Sequence, residues 1–187
     1  MNCAVIVIAG GKRSALLDSR TMPTLLAQGF AETVVVGEYH GGPGYTYLHV
    51  PGLTNTTTDA LVKRDVGTLA TKSDWLLYLS DDHVVVKTGQ LPEHWLDIGV
   101  PLRFCTNGTR IPLNMGLDPR DPNAPYCAGH AGLFSRRMIQ LYPWTTQPHD
   151  RLWDLLSSRS LAAFGARIGS QIGWEVEDLE PQARPWL

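Results

Sequence analysis

Asp81, Asp82 and His83 are consecutive, and with Ser80 before them they stand at the end of an apolar run at residues 74–79 (DWLLYL). Two adjacent carboxylates repel one another, and burying them without partners is costly. A bound cation removes that cost. If the chain stays extended past the run, residues i and i+2 point to one side. Asp81 and His83 then converge on one ion, while Asp82 turns toward another partner such as a ribose. Carboxylate oxygen plus imidazole nitrogen suits Mn²⁺, or Mg²⁺ in its place, better than Ca²⁺. The plainer alternative is a solvated turn whose carboxylates cap a following helix.

A second group with chemical capacity is Gly10, Gly11, Lys12 and Arg13, which follow Ala9 at the end of another apolar run, residues 4–9. A glycine turn carrying two cations ahead of a helix can hold a diphosphate through backbone N–H groups and charge. It is not a P-loop, because G-x-x-x-x-G-K-[ST] is absent.

Both groups follow apolar runs that read as strands. Residues 4–9 (AVIVIA) form a continuous β-branched run, which suits a central strand covered on both faces. Residues 14–29 carry apolar Ala15, Leu16, Leu17, Met22, Leu25 and Leu26, which predicts a helix interrupted or restarted near Pro23 and ended by Gly29. Strands are expected at 33–36 and 45–50, a helix at 59–71, a strand at 74–79 and a short extended piece at 84–86. This alternation predicts an α/β fold with a mostly parallel central sheet flanked by helices. Open sheets of that kind take their ligands at the C-terminal ends of the strands, where both groups fall.

The second half is less regular. A strand is expected at 103–106. Residues 107–125 are rich in Pro, Asn, Asp and Gly, and read as a functional lid or a segment hiding short strands. Small residues follow at 126–134, then helices at 135–142 and 149–164, a strand at 174–176 and a Pro-rich end. Most of the six tryptophans lie in this half, and core packing explains them more simply than sugar stacking.

With 187 residues, 43% hydrophobic and 18% charged, the chain has an ordinary globular balance. One domain over 1–187 is expected, with a nucleotide-binding half at 1–86 and an acceptor-side half plus C-terminal tail at 87–187. A net charge of −2 argues against binding nucleic acid through bulk charge. Cys3, Cys105 and Cys127 show no metal-like spacing, and their odd, sparse count suggests buried thiols in a reducing compartment. The apolar N-terminal run lacks a basic flank and reads as a strand rather than a signal peptide. No apolar run reaches the roughly 20 residues of a membrane helix. A cytoplasmic protein without a membrane span is the expectation.

Residues 63–86 resemble the metal-binding region of GT-A fold glycosyltransferases, in particular the family 2-like enzymes. Arg64-Asp65-Val66-Gly67 stands where that family has an R-N-x-G helix. An apolar strand and then Asp81-Asp82-His83 follow, in place of the family's D-x-D or D-x-H motif. The D-x-H form is similar to that of polypeptide N-acetylgalactosaminyltransferases. The resemblance implies a metal-dependent glycosyltransferase of the hexosyltransferase type, which takes a UDP-sugar or another nucleotide-diphosphate sugar as donor.

By the same resemblance, Ala9, Gly10, Gly11, Lys12, Arg13, Glu38, Arg64, Asp81 and Asp82 would contact the donor, with Glu38 reaching its base. Asp81 and His83 would bind the metal, and His149 would complete its shell. Asp150 would be the catalytic base of an inverting enzyme, although a carboxylate at a helix N-terminus also serves simply as a cap. Residues 126–137 are similar to the family's acceptor-side segment, which places Gly129 and His130 near the sugar acceptor. Two other readings stay open. One is a nucleotidyltransferase that makes nucleotide-sugars, although its usual G-G-x-G-x-R loop is missing. The other is a non-catalytic nucleotide- or sugar-binding module.

Overall fold

A computed structural model describes residues 2–10, 13–53, 56–105, 110–111, 117–118, 121–125, 131–147 and 153–179. The first strand, β1 (Cys3–Ala9), is buried along almost its whole length, as its unbroken apolar run requires. A helical segment follows: α1 (Ser14–Leu16), a π-helical turn (Leu17–Thr21) and α2 (Met22–Ala27). Pro23 lies in the first turn of α2. Proline has no N–H and its ring crowds the carbonyl four residues back, so a widened turn just before it lets the helix pass.

Strands β2 (Glu32–Gly37) and β3 (Thr46–His49) lead to α3 (Thr56–Ala70) and β4 (Trp75–Ser80). All four strands run parallel, in the order β3-β2-β1-β4. Gly67 lets α3 lie close on the sheet, since a Cβ there would sit 2.4 Å from Ile6 Cγ2. The expected parallel α/β arrangement is therefore present in the first half.

Beyond β4 come β5 (His83–Lys87), β6 (Asp97–Cys105), β7 (Arg110–Ile111), β8 (Leu117–Asp118), β9 (Asp121–Pro125) and β10 (Ala131–Ser135). Then follow α4 (Arg136–Leu141), a 3-10 turn (Trp144–Thr146), α5 (Trp153–Ala163) and β11 (Arg167–Asp178). The sheet continues β4-β10-β6-β11-β5, with β10 antiparallel to both neighbours and β5 antiparallel to β11. β7 pairs with β6, while β8 and β9 form a separate pair.

Several expectations for this half need correction. The extended piece expected at 84–86 is a strand paired across the sheet, not a continuation of β4. The strand expected at 103–106 is, over its described residues 103–105, the end of the much longer β6, and the one expected at 174–176 lies within the much longer β11. The small-residue segment ends in strand β10. The stretch at 107–125 does contain short strands. Trp144 and Trp174 are core residues, buried against Tyr78 and Phe134 and against Phe30 respectively.

Candidate metal and donor site

The C-terminal ends of β1 and β4 lie side by side, with Ile8 paired to Ser80. That register puts the glycine turn against the acidic turn. Gly10 N–H donates to Asp81 Oδ2 at 2.9 Å, and Arg13 Nη1 donates to Asp81 Oδ1 at 3.0 Å. The same Arg13 nitrogen lies 3.2 Å from Asp82 Oδ2, so one guanidinium bridges both carboxylates. Thr21, in the π-helical turn, donates its hydroxyl to the Asp81 carbonyl at 2.9 Å. The irregular turn before Pro23 thus braces the acidic turn from beneath.

Asp81 and Asp82 form a turn, not an extended strand, and β5 starts at His83. This changes the expected geometry. His83 Nδ1 lies 2.7 Å from Asp82 Oδ1, while the Asp81 carboxylate is taken up by Gly10 and Arg13. The third member of the cluster comes from β11, where Asp178 stands directly opposite His83 in the antiparallel register with β5. Leu179 N–H closes the arrangement by donating to the Asp82 carbonyl at 2.9 Å.

Asp82, His83 and Asp178 each offer one ligand atom, all within 4.8 Å of one another, and all three residues are buried. Two carboxylates and one imidazole form a hard-to-borderline donor set that fits Mn²⁺, Mg²⁺ or a similar divalent ion. Burial pushes the Asp82 carboxyl up. The His83 hydrogen bond and charge, together with Arg13, outweigh it and bring Asp82 down to about 2. Asp82 is therefore ionised at any physiological pH and is charged as a metal ligand would need to be.

Comparison with solved structures places this arrangement in context. The chain matches S. aureus TarS 1-349 in complex with UDP-GlcNAc at a TM-score of 0.61 and 12% identity, covering 98% of this chain and 60% of that one. A second structure of S. aureus TarS 1-349 gives 0.59 at 13% identity, covering 97% and 61%. GalNAc-T7 with UDP, GalNAc and Mn²⁺ gives 0.58 at 14% identity, covering 95% and 44%. The likeness is one of glycosyltransferase fold. At these identities it extends to architecture alone, and the chain spans less than two thirds of either relative. No protein-family model matches the chain, and no curated protein does.

The remaining predicted donor residues are dispersed within this fold. Ala9 lies at the end of β1 and gives its carbonyl to Lys63 Nζ at 3.2 Å; Lys63 also pairs with Asp59 at 2.6 Å. Glu38 follows β2 as expected, but its carboxylate accepts the Gly52 N–H at 3.1 Å. Asp59 accepts the neighbouring Leu53 N–H at 3.0 Å, so two carboxylates pin the loop at 51–53. Arg64 turns away from the cluster and lies over the rings of Tyr78 and Trp144, at 5.3 and 4.8 Å from their centroids. Next to it, Asp65 caps the 3-10 turn through the N–H groups of Trp144 and Thr145. In this structure the arginine packs on two aromatic rings and the aspartate caps the 3-10 turn. Gly11, Lys12, Gly129, His130, His149 and Asp150 lie outside the described residues.

Asp178 is the functional candidate that the sequence reading missed. Its signal was present in the alternation of β11, where Trp174 and Val176 are buried between half-buried Glu175 and Glu177. Asp178 falls on the buried phase of that alternation. A carboxylate at a core-facing strand position needs a cation or a donor.

Proposed function

We propose that this chain transfers a glycosyl group from a nucleoside-diphosphate sugar, most simply a UDP-sugar, at the end of the sheet where β1, β4 and β11 meet. The carrying observation is the buried Asp82–His83–Asp178 cluster at the C-terminal end of β4, with Arg13 and the Gly10 turn beside it. The fold shared with TarS bound to UDP-GlcNAc and with GalNAc-T7 bound to UDP and Mn²⁺ supports this reading.

A divalent ion held by Asp82, His83 and Asp178 would supply Lewis-acid neutralisation of charge on the departing nucleoside diphosphate. The chain's own groups do the rest. Arg13 spans Asp81 and Asp82 and stays partly exposed, which puts a second positive charge beside the cluster for a phosphate oxygen. Gly10 N–H and Arg13 hold the Asp81 carboxylate and the Thr21 hydroxyl holds its backbone carbonyl, so the acidic turn is fixed before a donor arrives. Asp150 remains the candidate to take the acceptor proton.

The test is release of UDP from UDP-N-acetylglucosamine, UDP-N-acetylgalactosamine and UDP-glucose in the presence of Mn²⁺. At least one donor should be consumed, and His83→Ala should abolish consumption. Production of pyrophosphate from a nucleoside triphosphate and a sugar 1-phosphate, with no donor consumed, would replace this reading with a nucleotidyltransferase.

A further inference from the structure

The opposite end of β4 carries a second feature that the metal and donor site does not use. A cleft of about 290 Å³ opens there, lined by Asp74, Trp75, Trp95, Arg137 and Gln140. Its floor is rigid. Ser135 caps α4 by accepting the Met138 N–H and donates its hydroxyl to the Trp95 carbonyl at 2.6 Å. Arg136, also on the lining, is fully engaged with the Ser73 and Thr68 carbonyls and the Thr71 hydroxyl. The cleft walls are therefore fixed by the junction of β4, β10 and α4.

The other lining groups give the cleft its chemistry. Trp75 is half-buried, and its indole makes no ring contact among the described residues. Arg137 stands over the Trp95 ring at 4.2 Å from its centroid. Arg137 and Gln140 are exposed, three residues apart on α4, and thus share one face of the helix. Asp74 also lines this space, and its carboxylate accepts a hydrogen bond from the Asn2 side-chain amide through one oxygen.

The chemistry selects a ligand class. One guanidinium, one carboxylate and one amide give a charge-balanced rim of both donors and acceptors. An anion such as a diphosphate would meet Asp74 as well as Arg137, and a cation would meet the reverse. A neutral polyhydroxylated ring satisfies all three groups, and its C–H face lies on an indole. We propose that this cleft is a saccharide-binding site, separate from the site of glycosyl transfer and independent of that reading. β4 rises about 3.3 Å per residue from Trp75 to Ser80, which puts the two sites roughly 17 Å apart. A sugar held here is beyond reach of the metal cluster and would be a docked part of a longer glycan.

Saturation-transfer NMR tests this with maltose, cellobiose, lactose and N,N′-diacetylchitobiose as neutral probes, and citrate and inorganic phosphate as anionic ones. At least one disaccharide should bind the full chain. Arg137→Met and Gln140→Ala should each weaken it about fivefold or more, through loss of a hydrogen-bonding or stacking partner. Gln140→Trp, which fills the cleft from an exposed helix position, should abolish binding without changing the melting temperature. Asp82→Asn should leave disaccharide binding within twofold. Binding of no disaccharide, binding of the anions alone, or loss of saccharide binding in Asp82→Asn would each overturn the proposal.

Discussion

Replacing Gly37 with alanine should damage both the fold and the donor end of the sheet. Gly37 closes β2 at a φ of 145°, and a Cβ there would lie 1.9 Å from the Ala9 carbonyl oxygen. That is about 1.4 Å short of the ~3.3 Å at which carbon rests against a carbonyl oxygen. Ala9 cannot retreat freely, because β1 is paired on both sides, with β2 and β4. The strained dihedral alone costs about 1–3 kcal/mol. If the chain gives way at Ala9, the next residue moves too. Gly10 N–H then draws away from Asp81 Oδ2, now at 2.9 Å. Losing a hydrogen bond to a charged group adds about 1.5–3 kcal/mol. The sum is roughly 2.5–6 kcal/mol, which for a chain of this size lowers the melting temperature by about 5–24 °C. A thermal melt followed by circular dichroism reads this directly, and UDP affinity in Mn²⁺ should fall in the same variant. A Gly37→Ala protein melting within about 2 °C of the parent, with unchanged UDP affinity, would refute the reasoning.

Two further outcomes follow from residues outside the cluster. Burial raises the Glu32 carboxyl, but the Ser73 hydroxyl and the N–H groups of Lys72 and Ser73, with Arg136 nearby, outweigh it and hold Glu32 below its ordinary value. A depressed folded value means the stabilisation is complete above the unfolded value of about 4.3 and is lost as pH falls through the folded one. The urea midpoint should therefore drop on the acid side in the parent and be flatter there in Glu32→Gln; parallel profiles would count against the contact. Arg64→Met should cost roughly 1–3 kcal/mol in urea unfolding through loss of its two ring contacts, while UDP affinity stays unchanged. Lost affinity with unaltered stability would instead return Arg64 to the donor.

The parallel half of the sheet was legible because strands buried on both faces read as unbroken apolar runs, as in β1 and β4. β6 hid its length behind Gly99 and Pro101. Proline cannot donate to a ladder, and the β6–β11 register is irregular around it, between the Val100–Gln171 and Leu102–Glu175 pairs. Gly173, with a φ of 70°, interrupts β11 at the same place and broke its pattern for a reader of sequence alone. The chemistry at the acidic turn was visible, but its internal geometry was not. An extended Asp81-Asp82-His83 pairs the first and third residues, whereas the turn pairs Asp82 with His83 and leaves Asp81 to Gly10 and Arg13. The alternation of β11 marks Asp178 as buried, but its place opposite His83 depends on a strand pairing across 95 residues of chain, which local periodicity does not encode.

Calorimetric binding of UDP, with and without Mn²⁺, to the parent, Asp82→Asn and Asp178→Asn chains addresses the central claim most directly. The account predicts binding that requires Mn²⁺ and that weakens tenfold or more, roughly the loss expected when a metal shell is broken, in either variant. UDP binding that ignores the metal, or that survives intact in Asp178→Asn, would contradict it.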